Sequence, residues 1–184
     1  MAAGFETLNL AYPSRTASLE QLAAYVRREA GTFLDRTDGL SHIVTHSMGG
    51  LVARALIARH RPTALGRVVM LAPPNQGSEI ADLLHRTWMY RRLYGPAGAQ
   101  LITGQPPSVD FPLGIIAGDR SLDPLCWLLI PGPNDGKVSV ARTAVGGMAD
   151  HAVLHTTHTF MARNPRVLTL TIRFLRDGCF GAEA

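Results

Sequence analysis

The stretch Ile43-Val44-Thr45-His46-Ser47-Met48-Gly49-Gly50-Leu51-Val52 constrains this chain more than any other. A β-branched apolar run leads into a serine, glycines follow, and an apolar helical pattern begins without an intervening loop. A serine on so sharp a strand-to-helix turn is held in a strained conformation, with its hydroxyl above the sheet edge. Small residues are needed beside it because neighbouring backbones pass close there. The helix points free N–H groups and its positive dipole end at any anion forming on that serine. The plainer reading is a serine that only caps a helix after a strand. Ser-Met-Gly-Gly behind an apolar strand argues against it.

Such a turn belongs at the end of a sheet, and the rest of the pattern supplies one. Strands are predicted at Phe5 to Leu10, Leu40 to Thr45, Arg67 to Ala72, Leu113 to Ala117 and Ala152 to Thr157. Between them lie helical stretches. Ser18 is placed to cap the first, whose Leu19, Leu22, Ala23, Val26, Ala30, Phe33 and Leu34 share a face. Pro62 closes the helix that starts at Met48, Ser78 caps one running to about His85, and Asn164-Pro165 opens the last. The final helix turns Val167, Leu170, Phe174 and Leu175 inward. Alternating strands and helices give an α/β fold with a mostly parallel sheet between two helical layers.

The 184 residues fit a single domain, and 46% hydrophobic against 17% charged residues favours a folded globule. No apolar run reaches the roughly 18 residues of a membrane span. The first residues lack a signal-peptide layout, so the chain as written is expected to be cytoplasmic. A formal charge of +4 comes from arginines and Lys137 scattered along the chain rather than clustered, so no nucleic-acid partner is expected. Cys126 and Cys179 show no metal spacing and read as free thiols.

The serine turn resembles the Gly-x-Ser-x-Gly motif of the α/β-hydrolase superfamily, in its small bacterial lipase- and esterase-like branch. It departs at Thr45, where the first glycine is usual. Leu71-Ala72-Pro73-Pro74-Asn75-Gln76-Gly77-Ser78 resembles a strand-to-helix loop of the same proteins, and the likeness runs from about Phe5 to Phe180. It implies a Ser, acid, His order of catalytic residues. Two acids qualify. Asp119 ends a predicted strand, and Asp135 lies in Asn134-Asp135-Gly136-Lys137-Val138, similar to the family's Asp-Gly-x-Val acid loop. Asp135 is favoured, with Asp119 capping the loop after it. Among the late histidines, His155 lies inside a predicted strand and His151 before it. His158 follows the strand in a run similar to the family's histidine loop, and is favoured as the base. His46 reads as a structural neighbour of the serine rather than a second base.

The resemblance implies an esterase or lipase working through acyl-Ser47, with Met48 N–H as oxyanion donor and no metal or organic cofactor. Its substrate would be a small-molecule or lipid ester. An acyltransferase or thioesterase on the same residues stays open, as does a catalytically impaired module that binds a lipid or a partner. Residues 85–112 fit no core strand and read as a cap insert, with Trp88 and Tyr90, and Trp127 nearer the acid, lining an acyl pocket. The family usually carries two or three strands and a His-Gly oxyanion loop ahead of the segment that Phe5 to Leu10 resembles. None stands in this sequence, so the fold is expected to be N-terminally truncated: a fragment, a mis-assigned start or a minimal variant. One oxyanion donor fewer costs about 100- to 1,000-fold in turnover. Unless Phe5 to Leu10 pairs with Leu40 to Thr45, the sheet keeps an open edge through which chains can self-associate.

Overall fold

The computed structural model describes residues 3–14, 16–35, 39–79 and 108–181, without the side chains of Leu125 and Trp127. The expected helix after Ser78, most of the cap insert, and Trp88 and Tyr90 lie outside the described residues, as does the Trp127 side chain.

Among the described residues four strands form one all-parallel sheet in the order β1 (Ser41–His46), β2 (Leu65–Leu71), β3 (Leu113–Gly118), β4 (Asp150–Leu154). Alternation along β2 builds both faces. Val68 and Met70 join Leu113 and Ile115 against Ala53 and Ile57 of α2 (Gly49–His60). Val69 and Leu71 join Ile116, Ala152 and Leu154 against Val167, Leu170 and Phe174 of the C-terminal helix Pro165–Asp177. β3 is buried along its whole length, as a central parallel strand covered on both sides must be.

Helix α1 (Leu19–Leu34) starts at a capping box. The Ser18 hydroxyl accepts from Gln21 N–H and the Gln21 side chain accepts from Ser18 N–H. Its buried Leu19, Leu22, Ala23, Ala30 and Leu34 pack on α2, so both helices cover the same face. Two shorter helices, α3 (Pro124–Leu129) and α4 (Val140–Thr143), lie between β3 and β4. The C-terminal helix, α5, starts on an Asn164 cap with Pro165 at its first position and ends at Gly178. No helix among the described residues is long and apolar enough to cross a membrane.

Two expectations are corrected. The strand predicted at Phe5 to Leu10 does not join the sheet, and no backbone hydrogen bond among the described residues ties it to β1. Side chains hold this segment instead: Phe5 sits edge-on to His42 with ring centroids 5.9 Å apart, and Leu10 packs with α1 and α2. A groove of about 450 Å³, lined by Leu8, Leu10, Phe33, Val44 and Thr45 among others, lies along β1 there. The N–H groups of Ser41 and Ser47 point at Ala64 O and Leu71 O on the β2 side. Those of His42, Val44 and His46 therefore face the groove, as alternation in a strand requires. The last strand also starts earlier than predicted and ends at Leu154, so His155 stands beyond it rather than inside it.

Candidate active site

Ser47 closes β1 at φ 56°, one of two non-glycine residues at positive φ among those described, the other being Ala72 at 45°. Ser47 N–H is consumed by Leu71 O (2.8 Å), while Ser47 O accepts from Gly50 N–H (3.0 Å). The turn is thus fastened to β2 on one side and to α2 on the other. Gly50 cannot be larger without displacement, because a Cβ there would lie 2.9 Å from Pro73 Cβ and 3.1 Å from Met70 Sδ. A positive φ at a non-glycine, held by bonds on both sides, is the strain that the serine's surroundings predict.

Asp135 and His158 meet at the same end of the sheet. Asp135 Oδ2 lies 2.7 Å from His158 Nδ1, and their side chains are 1% and 4% exposed. The other carboxylate oxygen, Oδ1, accepts from the backbone N–H groups of Lys137 and Val138, both at 2.9 Å. His158 N–H donates to Asp135 O (3.0 Å), so main chain and side chain fix the pair together. Below the acid, buried Asn134 braces the loop. Its amide donates to Ile130 O and Gly132 O, and its Oδ1 accepts from Gly136 N–H. With its carboxylate thus donated to, Asp135 favours the proton on Nδ1 of His158 and leaves the lone pair on Nε2.

The rival acid and the rival histidine find each other. Asp119 Oδ1 lies 3.0 Å from His155 Nδ1, with side chains 35% and 72% exposed. Asp119 therefore engages His155 instead of capping its own loop. His151 is tied to Thr143 Oγ1 at 2.9 Å, and burial lowers its pKa.

His46 links the serine turn to the histidine loop. Its Nε2 lies 3.0 Å from His158 O, and the two rings sit 4.7 Å apart, tilted by 41°. Burial, then the neighbouring His158, lowers the His46 pKa.

Gly118 makes the convergence possible. A Cβ there would strike Thr156 O and come within 2.9 Å of both Asp135 Cβ and Met161 Cε. Gly118→Ala must push the acid loop or the histidine loop off the end of β3. We expect a loss of about 1–3 kcal/mol in chemical denaturation, typical of overpacking. Unchanged stability would contradict this packing.

Sequence reasoning missed one bracing network. Arg54, buried on α2, donates to Asn75 Oδ1 (3.1 Å), and Asn75 Nδ2 donates to Thr143 O (2.8 Å). Gln76 N–H donates to Arg142 O, and the Ser78 hydroxyl to Lys137 O (3.1 Å). The loop after β2 is thereby sewn to the segment just beyond Asp135. The signal was present: an arginine between Ala53 and Ala55 on an otherwise apolar helix face needs a buried partner. Among the described residues no three His, Cys, Asp or Glu side chains form a metal-binding group, and Cys126 and Cys179 are free thiols.

No family model and no curated protein matches the sequence. Solved structures do match. The lipase BlEst2 of Bacillus licheniformis in its mature form superposes with a TM-score of 0.60 at 20% identity, over 78% of this chain and 68% of that one. Phospholipase PlaB of Legionella pneumophila, in complex with thio-NAD, superposes with a TM-score of 0.68 at 18% identity, over 92% of this chain. The fold is that of the α/β-hydrolases. This chain spans about half the length of the phospholipase, 50% in that complex and 51% in a second structure of it. On the α/β-hydrolase fold, Ser47, Asp135 and His158 all stand at or just beyond the C-terminal ends of the parallel strands, where open α/β sheets bind their ligands.

Proposed function

We propose that this protein is a serine hydrolase of carboxylic esters, with lipid esters as the substrate class. The observation that carries the reading is the buried Asp135–His158 hydrogen bond, joined to the Ser47 turn through His46. The lipase and phospholipase names of its structural neighbours support the substrate class.

Neutral His158 takes the Ser47 hydroxyl proton on Nε2 while its Nδ1–H stays bonded to Asp135. Ser47 Oγ adds to the ester carbonyl, and the negative oxygen forms beside the start of α2. Ser47 N–H is spent on Leu71 O, so the donor that the turn offers is Met48 N–H, aided by the helix dipole. The intermediate collapses as His158 returns its proton to the leaving alcohol, giving acyl-Ser47. Water, deprotonated by the same nitrogen, then releases the acid. The pocket that holds the acyl chain is assigned to Trp88, Tyr90 and Trp127 on sequence grounds alone. Among the described residues no strand pairs with the outer edge of β1, which supports association of chains through that edge.

A fluorophosphonate probe tests the reading. The intact protein should gain one adduct, located at Ser47 by peptide mass spectrometry. No adduct, or one on another residue, would sink it.

A further inference from the structure

We propose that His46 is a positioning residue: its Nε2–H holds the backbone carbonyl of His158 and so fixes where the base presents its own Nε2 to Ser47. The inference rests on the serine-hydrolase reading and adds a role that the serine, acid and histidine do not contain.

Asp135 alone leaves His158 underdetermined. Its bonds fix Nδ1 and the main-chain N–H of His158. Both lie on the acid's side, so the residue can still rock about that pair. The remaining main-chain group, the carbonyl, is held by His46 Nε2 at 3.0 Å. A carbonyl only accepts, so the bond requires His46 to carry its proton on Nε2. The ring of His46 also backs the ring of His158 at a tilt of 41°, on the side that β1 provides.

Position in the chain gives the contact its meaning. His46 is the residue before Ser47, at the end of the strand that sets the serine. Any movement of the β1 terminus carries the nucleophile and the brace on the base together, so the Ser47-to-His158 relation is preserved. A base acts only within hydrogen-bond reach of the proton it removes, and a misplacement of about 1 Å can cost about 100-fold in rate.

Charge points the same way. Around His46 stand His158, Asp135 and Lys137; burial, then the charge of His158, outweighs the bond to the His158 carbonyl and the Asp135 carboxylate, which favour the charged ring, so its pKa is lowered. A neutral ring is what the site needs, because His158 becomes positive each time it accepts the serine proton. A second imidazolium 4.7 Å away would oppose that step.

Three substitutions separate the hydrogen bond from ring packing, each read by kcat and KM on a p-nitrophenyl ester and by the rate of fluorophosphonate labelling. His46→Gln keeps an amide donor of similar reach, His46→Phe keeps a ring without a donor, and His46→Ala keeps neither. We expect Ala and Phe to lower kcat and the labelling rate by about 10- to 100-fold with KM little changed, and Gln to stay within about 3-fold of wild type. Wild-type kcat in His46→Phe, or a loss that His46→Gln does not relieve, overturns the inference. Should the Phe variant fail to fold, nitrogen-15 shifts of labelled histidine in the wild-type protein decide, with an Nδ1–H tautomer at His46 overturning it. Failure of the wild-type protein itself to label at Ser47 would overturn the hydrolase reading instead, so the two failures are distinguishable.

Discussion

Ser47→Ala should lower ester turnover by about a million-fold, His158→Ala should match it, and the double variant should be no worse than either. The expectation follows from how the parts act. A serine hydroxyl is a weak nucleophile until a base takes its proton, and a base beside an alanine has nothing to activate. Each residue is useful only through the other, so their losses do not add. The geometry behind this is the convergence of two segments far apart in the chain. β1 delivers Ser47 at positive φ, and the loop after β4 delivers His158 against His46, the residue preceding the serine. Steady-state turnover on a short p-nitrophenyl ester, with active-site titration to exclude contaminating esterase, measures all three variants. Losses that multiply in the double variant would mean that the residues act independently, and the proposed assignment would fall.

Asp135→Asn should cost about 10,000-fold in kcat, and Asp119→Asn no more than a few-fold. Both carboxylates bond a histidine Nδ1, at 2.7 Å and 3.0 Å, so distance alone does not separate them. Burial does. Asp135 and His158 are cut off from water, and the carboxylate is further held by two backbone N–H donors. An asparagine there can turn an amide N–H toward Nδ1, driving the ring proton to Nε2 and removing the lone pair that accepts the serine proton. Water cannot correct the tautomer in so closed a place. The Asp119–His155 pair is open to solvent, where such ion pairs contribute about 0–1 kcal/mol and water replaces a lost partner. A larger loss in Asp119→Asn than in Asp135→Asn would transfer the role to the exposed pair.

Much of this architecture was legible in the residues. Apolar periodicity placed α1, α2 and α5 and the four strands of the sheet, because each element must bury one face whatever its neighbours are. The Ser18 cap, the Asn164-Pro165 start and the abrupt passage from β1 into α2 were readable for the same reason. Each is a local backbone requirement met by residues adjacent in the chain. The candidates Ser47, Asp135 and His158 were chosen by side-chain chemistry and order along the sequence, and the fold brings the acid and the histidine into hydrogen-bond contact.

What the sequence left open depended on contacts between distant segments. Phe5 to Leu10 reads like a strand, but a strand exists only when a neighbour takes its hydrogen bonds, and β1 does not. Which acid meets which late histidine likewise depended on where β3 and β4 end. That register put Asp119 beside exposed His155, and brought Asp135 to buried His158 across the bare surface of Gly118. Arg54 meets Asn75, and His46 meets His158 across 112 positions of chain, through packing that no local pattern encodes. Sequence by itself determined the kinds of element and the chemistry available at the strand ends. Only the tertiary structure decided which of those groups meet and which are shut off from water, because pairing and burial are properties of the assembled layers and not of any one segment.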